Sequence, residues 1–194
     1  MVPRNREFDI DDALQKAMCL FWKKGYAETS IRDLASHLRV SHAGIYSVFG
    51  DKEGLFKASI ERYSREVLEV IFRPLEGPNA GRTQIEEIFN NAICAVDNGN
   101  LRNGCFIANS AVEFAGTDSP IVLFVQRSFE RLVRLFENAL SLALRNGEIR
   151  SNLNVSRVAY SFTVTFYGIS AIARAGLPMT VLEEASAAAL DQLD

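Results

Sequence analysis

Apolar residues recur at helical spacing along nearly the whole chain of 194 residues, and this periodicity constrains the fold more than any other feature. The first such stretch follows a candidate N-cap at Asp9 and stops at Gly25. Alternation of apolar and polar residues, which would indicate strands, is hard to find. The pattern therefore predicts an all-α protein of about nine helices.

Capping residues predict two short helices and a longer one after the first helix. Ser30 and Ser41 are candidate N-caps of the two short segments. The longer helix is predicted to begin after Asp51 and to run to about Arg73, where a loop rich in proline and glycine follows. Two short helices thus lie between two longer ones, in the first third of the chain.

The second half predicts further helices, two of which have clear N-termini. Ser119 is a cap followed by Pro120, and Thr180 with Glu183 predicts a capping box that opens the last helix. The longest uncharged stretch, residues 158–173, has 16 residues, fewer than the roughly 20 that span a bilayer. Because the N-terminus is also polar, we predict a cytoplasmic protein without a membrane segment.

Cysteine and histidine usage argues against metal sites and against common enzyme classes. The three cysteines, Cys19, Cys94 and Cys105, are an odd number with no close pairing, so neither a disulfide framework nor a two-plus-two zinc site is encoded. The histidines are His37 and His42, both in the short helices, and no P-loop or nucleophile motif is present. We predict no enzyme activity, no cofactor and no metal.

The net charge of −3 argues against a protein coated in nucleic acid, but the charge is unevenly distributed. Residues 16–52 hold six basic and three acidic side chains. A local basic surface is therefore predicted on the part of the chain that contains the two short helices, which together have the form of a helix-turn-helix.

Residues 17–56 carry a specific set of motifs and read AMCLFWKKGYAETSIRDLASHLRVSHAGIYSVFGDKEGLF. They contain Gly-Tyr after an apolar helix, Thr-Ser-Ile-x-x-Leu-Ala, Val-Ser before the third helix, then Ile-Tyr-x-x-Phe and Lys-Glu-x-Leu-Phe. Over about residues 8 to 56, this combination closely resembles the DNA-binding half of the TetR (tetracycline repressor) family of bacterial regulators.

The resemblance implies that the third helix enters the major groove and that neighbouring residues hold phosphates. Base contacts are expected from the start of that helix, where small residues suit a thymine methyl or a close backbone approach. Hydroxyl groups are suited to hydrogen bonds with phosphate oxygens, and so is the lysine at the start of the fourth helix. The predicted DNA-contacting residues are Ser30, Arg32, Ser41, His42, Ala43, Gly44, Tyr46, Ser47 and Lys52.

One residue in the turn departs from the family pattern, and a short N-terminal arm is a further candidate for DNA contact. Members usually place glycine in the turn where this chain has Arg39, and a non-glycine residue at positive φ costs about 1 kcal/mol. Either the turn differs or Arg39 gains a phosphate contact. The short arm Pro3-Arg4-Asn5-Arg6 is a candidate for minor-groove insertion.

In the resembled family the second half holds an effector pocket, and its last two helices pair across a dimer axis. A Gly-Cys-Phe-x-x-Asn-Ser start to one helix resembles a subset of members, and small residues between Val155 and Ala175 permit close helix approach. An intramolecular core explains the same composition. The predicted effector-binding residues are Cys105, Phe106, Phe124, Phe166 and Tyr167.

These observations predict a DNA-binding domain at residues 1–56 and a ligand-binding and dimerisation domain at residues 57–194, with the helix from about 51 shared as a connector. The predicted function is a homodimeric repressor that a small molecule releases from a palindromic operator. Two alternatives stay open. One is a helical ligand carrier whose helix-turn-helix no longer reads DNA. The other is a redox or electrophile sensor based on Cys105, whose helix-start position favours the thiolate.

Overall fold

The computed structural model describes residues 8–99 and 101–194, and within these ranges the chain is helical with no strand. Counting the uninterrupted run that ends at Phe72 as one helix, the described residues form nine helices, as predicted. The α-helices are α1 (Ile10–Lys24), α2 (Ile31–Leu38), α3 (His42–Phe49), α4 (Lys52–Tyr63), α5 (Glu69–Phe72), α6 (Arg82–Asp97), α7 (Phe106–Glu113), α8 (Pro120–Arg145), α9 (Val155–Arg174) and α10 (Met179–Leu190). The predicted arm at residues 3–6 lies outside the described residues.

The chain divides into two compact units, one up to Val67 and the other from Leu68. In the first unit α1 packs against α4 and α2, and α3 packs against both α2 and α4. Phe21 of α1 and Phe56 of α4 meet edge to face with ring centroids 4.9 Å apart. This ring pair belongs to the contact between α1 and α4.

Side-chain caps begin each helix of the first unit. Asp9 Oδ1 accepts from the backbone amide of Asp11 at 2.9 Å, and Ser30 Oγ accepts from the amide of Asp33 at 3.1 Å. Ser41 Oγ accepts from the amide of Gly44 at 3.1 Å. Because α2 and α3 have only eight residues each, they need these caps and their tertiary packing to persist.

The run from α4 to α5 changes its winding at the boundary between the units. Residues Ser64–Leu68 form a π-helical turn, a rare geometry that often marks functional positions. Just before it, the buried Arg62 donates from Nη1 to Asp11 Oδ1 at 2.6 Å and from Nε to Glu66 Oε2 at 2.9 Å. This hydrogen bond from Arg62 lowers the pKa of Asp11. Arg62 therefore ties the start of α1 to the π-helical turn.

In the second unit α8 packs along α9, and α10 contacts both α9 and α6. Phe89, Phe136 and Phe162 form a buried aromatic triangle with centroid distances of 5.3 to 6.1 Å. No helix in the described ranges combines the length and the hydropathy that crossing a membrane requires.

The predicted capping box of the last helix is wrong. The helix begins at Met179, one residue before Thr180, and its N-cap is Pro178, which makes no side-chain cap. Thr180 therefore lies within the first turn of α10, because the preceding proline already sets the extended backbone from which the helix starts.

We predict that Gly54→Ala destabilises the first unit by about 1 to 3 kcal/mol. A Cβ at this position would collide with the backbone carbonyl of Phe49, which cannot yield as a flexible side chain would. The sign is opposite to that of an ordinary helix position, where alanine is favoured by about 0.5 to 1 kcal/mol. Urea unfolding followed by circular dichroism measures the change.

The matched control is Gly77→Ala, since the nearest atom to its added Cβ is the Pro74 carbonyl oxygen at 3.7 Å and its φ is −72°. This variant should keep the midpoint of the parent. A Gly54→Ala protein as stable as the parent would contradict the predicted collision.

Candidate nucleic-acid interface and effector site

The third helix presents one exposed side, which we call the DNA face and define as His42, Ala43, Tyr46 and Ser47. These positions lie at i, i+1, i+4 and i+5, so they share one side of α3. On the opposite side Ile45 is fully buried. Tyr46 is 47% exposed, so about half of this residue is covered by its neighbours. The structure thus brings four predicted DNA-contacting residues onto one surface.

Gly44 leaves no room for a side chain, and the atoms that a Cβ would meet there belong to the protein itself. A Cβ there would lie 2.8 Å from Val40 Cγ1 and 3.2 Å from Phe8 Cε1. Both atoms belong to the first unit, so glycine lets α3 approach its own domain closely. Ala43, by contrast, is exposed on the DNA face.

Three predicted phosphate-binding hydroxyls already make hydrogen bonds within the domain. Ser30 Oγ donates to Asp33 Oδ2 at 2.6 Å, and this bond lowers the pKa of Asp33. Ser47 Oγ donates to the Gly44 carbonyl at 3.0 Å. Ser41 Oγ accepts the α3 cap bond. Ser30 Oγ both donates and accepts a hydrogen bond, because it also accepts from the backbone amide of Asp33.

Two of the predicted DNA-contacting residues are cations near the N-termini of α2 and α4. Arg32 is exposed one residue into α2, and Lys52 lies at the first position of α4. Lys52 Nζ is 4.0 Å from the ring centroid of Tyr26, a cation–π distance. Tyr26 was not among the predicted residues, although the Gly-Tyr of the motif includes it, because its closeness to Lys52 depends on the folding of α1 against α4.

The turn between α2 and α3 keeps the left-handed geometry despite its arginine. Arg39 has φ 56° and ψ 41° and is the one non-glycine residue with positive φ in the described ranges. Its amide group caps the end of α2 by donating to the Ala35 carbonyl. Of the two expectations for this position, an altered turn is therefore wrong, and a compensating phosphate contact stays a prediction.

The predicted effector-binding residues lie in the core of the second unit or at its edge. Cys105, Phe106, Phe166 and Tyr167 are buried, and Phe124 is half-buried on α8. Phe166 and Tyr167 meet edge to face at 5.7 Å. Burial, and secondarily the nearby Cys105, raise the pKa of Tyr167.

Sequence reasoning missed Phe129, which stacks on Tyr167 with centroids 4.1 Å apart and an interplanar angle of 26°. The same residue lines a groove of about 310 Å³ between α8 and α9. Phe129 continues the apolar stripe of α8, so the pattern gave no reason to single it out. Groups of three or more metal-ligating side chains are absent from the described part of the chain.

Comparisons with known proteins agree with this geometry. The family model described as bacterial regulatory proteins, tetR family, matches residues 13–59, and the one described as tetracyclin repressor-like, C-terminal domain, matches residues 81–189. The chain is 28% identical to the HTH-type transcriptional regulator YezE of Bacillus subtilis over 98% of this chain and 99% of that protein. It is 27% identical to the transcriptional repressor ComR of Escherichia coli over 92% and 86% of the two chains.

Solved structures show the same fold. A cysteine variant of the TetR-family regulator CifR, complexed with 26-bp operator DNA, matches with a TM-score of 0.83 at 24% identity, over 98% of this chain and all of that one. A TetR regulator from Chloroflexus aurantiacus matches with a TM-score of 0.82 at 25% identity, over 93% and 91% of the two chains. With both family models matched, the chain belongs to the TetR family of bacterial regulatory proteins, a family of DNA-binding transcriptional regulators and not of enzymes.

Proposed function

We propose that the protein represses transcription as a homodimer that holds a palindromic operator and is released by a small molecule, acting in the cytoplasm. The observation that carries the proposal is the DNA face, a side of α3 that packing leaves exposed while Ile45, on the opposite side, is fully buried. In a two-fold dimer two such helices lie roughly 34 to 36 Å apart and enter successive major grooves.

His42 and Ala43 read bases in this proposal, because the first residues of a recognition helix reach base edges. Tyr46 and Ser47, one turn later, contact the backbone. Lys52 holds a phosphate together with the amides at the start of α4. Tyr26 positions Lys52, since its ring attracts the ammonium at 4.0 Å and limits the rotamers of a flexible side chain.

We predict that Lys52→Gln and His42→Ala weaken DNA binding in different ways. Loss of the Lys52 charge should weaken binding to operator and scrambled DNA alike and reduce the salt slope by about 0.9 per protomer. Loss of His42 should lower the preference for operator over scrambled DNA by about tenfold. Fluorescence anisotropy with DNA flanking the gene of this protein, at several salt concentrations, measures both.

The charge-matched control is Lys57→Gln, because Lys57 is an exposed lysine further along α4 that faces Glu61 at 4.0 Å. It should leave the salt slope unchanged. Tyr26→Phe keeps the ring and should behave as the parent, whereas Tyr26→Leu should resemble Lys52→Gln. Equal affinity of the parent protein for scrambled and operator DNA would overturn the proposal.

Homodimerisation is supported by an apolar surface on the last two helices, which we call the dimer face. It bears large exposed residues, Tyr160 at 60% and Val164 at 68%, and small ones that allow close helix approach. A patch of this kind on a soluble monomer marks an interaction site. The exposed residues of the dimer face are Tyr160, Val164, Ala171, Ile172, Val181, Ala185 and Ala188.

We predict that Val164→Arg yields a monomer that loses operator affinity. Burying an unpaired guanidinium at the centre of the dimer face costs several kcal/mol. The matched control is Val112→Arg, because Val112 is an 80% exposed valine on α7, outside the dimer face. Light scattering coupled to size exclusion should give the dimer mass for the control and half that mass for Val164→Arg. A dimer in both variants would place the interface elsewhere.

Release by an effector requires that the ligand bind more tightly to a state with a different recognition-helix spacing. The helix from about 51 to 73 is the proposed connector. Its π-helical turn at Ser64–Leu68 is a position where winding can change by one residue, and Arg62 links that turn to the start of α1.

The alternative of a Cys105 sensor meets an obstacle, because Cys105 is only 2% exposed. Cys19 and Cys94 are exposed. We predict that a bulky aromatic disulfide reagent titrates two thiols rapidly in the native protein and the third only after unfolding. Cys105→Ser should keep both fast thiols. A fast phase that disappears in Cys105→Ser would favour the sensor.

A further inference from the structure

A second groove in the second unit lies between α8 and the segment that follows α5, and we call it the Arg145 groove. Its volume is about 500 Å³, within the range for small-molecule sites. One wall is the C-terminal half of α8, from Leu135 to Arg145, and the other is formed within residues 75–80. The Arg145 groove contains no residue of the dimer face and none of the five effector-binding residues predicted from the sequence.

The α8 wall combines apolar side chains with a cation at its C-terminal end. Leu135, Asn138, Leu142 and Arg145 lie at i, i+3, i+7 and i+10, so they share one side of the helix. The rise of an α-helix gives this stripe a length of about 15 Å. The buried Leu75 adds apolar surface on the opposite wall. The groove therefore offers an apolar bed and a positive charge at one end of it.

The charge of Arg145 is not balanced within the described part of the chain. Two charged residues line the groove, and Glu76 is already bound, since its Oε1 accepts from Arg131 Nη2 at 2.6 Å. Arg134, on the same helix, faces Glu130 at 3.7 Å. The exposed guanidinium of Arg145 has no ion pair or hydrogen bond with any described residue. The groove thus carries one uncompensated positive charge.

A hydroxyl one turn before Arg145 is also without a partner among the described residues. Ser128, earlier on α8, donates from Oγ to the Phe124 carbonyl at 2.9 Å, the usual bond of a serine inside a helix. The half-buried Ser141 makes no such bond, and the Asn138 amide makes none either. Ser141 and Arg145 are four residues apart, so their side chains are neighbours. Both can therefore donate to one bound anion.

We propose that the Arg145 groove is the effector site and that its ligand is a small organic monocarboxylate with an apolar body. The inference rests on the proposed function and names the class of effector. A planar guanidinium binds a carboxylate through two parallel hydrogen bonds, and Ser141 donates a third. One cation balances one negative charge, whereas a phosphate ester carries nearly two at pH 7. Leu135, Leu142 and Leu75 cover the apolar body.

A ligand in this groove contacts the segment in which the connector helix ends. The chain runs from α5, which ends at Phe72, through the 3₁₀ turn Arg73–Glu76 into the wall formed within residues 75–80. The ion pair of Glu76 with Arg131 holds this turn to α8. A carboxylate bound between α8 and this wall fixes the distance between them. Such a contact differs between two positions of the connector end, as release by an effector requires.

Hexanoate and hexanamide are suitable probes, because they differ only in having O⁻ or NH₂ on the carbonyl carbon. Calorimetry with the full-length protein should show hexanoate binding about fivefold tighter, the worth of a partly exposed charged pair. In Arg145→Gln the two affinities should become equal. At constant ionic strength, saturating hexanoate should lower the operator affinity of the parent about tenfold and leave that of Arg145→Gln unchanged.

The matched control is Arg127→Gln, because Arg127 is an exposed arginine on the same helix that does not line the groove. It removes the same charge and should keep both the preference for hexanoate and the release from the operator. Circular dichroism should give the parent spectrum for both variants, since both arginines are exposed.

Four results would overturn the inference. The first is that the parent binds hexanoate and hexanamide equally, or binds neither at millimolar concentration. The second is that the preference survives in Arg145→Gln or is lost in Arg127→Gln. The third is that hexyl phosphate binds more tightly than hexanoate. The fourth is that bound hexanoate leaves the operator affinity of the parent unchanged.

Operator binding without any probe separates this inference from the proposed function. Arg145→Gln alone should hold operator DNA as tightly as the parent, because Arg145 belongs to the second unit and not to the DNA face. If the parent fails to prefer operator DNA, the proposed function fails. If operator preference is normal and hexanoate has no effect, only the assignment of the Arg145 groove and its carboxylate fails.

Discussion

Two helices of eight residues cannot persist alone in water, and the DNA-binding unit is organised around holding them in place. Each begins at a serine cap, and each turns apolar side chains inward, Leu34 and Leu38 from α2 and Ile45 from α3. In α3 the buried residue is Ile45, and five of the eight residues of this helix are exposed. The DNA face is what remains of α3 after its packing requirements are met.

The same logic explains two residues that look unusual in the sequence. Gly44 lowers the helix propensity of α3 but lets this helix approach Val40 and Phe8 closely. Arg39 adopts a left-handed conformation, in which α2 ends before α3 begins. Both place strain or lost propensity next to the recognition helix. The aromatic core of α1 and α4, through Phe21 and Phe56, supplies the packing that offsets it.

Local features of the fold were predictable from sequence, and features made by contact between distant segments were not. The caps at Asp9, Ser30 and Ser41 follow from side chains within three residues of the amides they bind. No local pattern predicts the cation–π contact of Tyr26 with Lys52 or the stacking of Phe129 on Tyr167, because each contact joins distant segments of the chain. The start of α10 was missed because Thr180 and Glu183 fit the spacing of a capping box, whereas the helix begins at Met179 with Pro178 as its N-cap. The residues of the predicted DNA site came from the motif, which is a local pattern of the sequence.

Hydroxyl-radical footprinting tests the central claim, that two copies of the DNA face read one side of a palindromic site. On the DNA upstream of the gene that encodes this protein, the account predicts two protected patches on the same face of the duplex, centred roughly one helical turn, about 10 bp, apart. A single patch, or shallow protection spread evenly along the fragment, would contradict it.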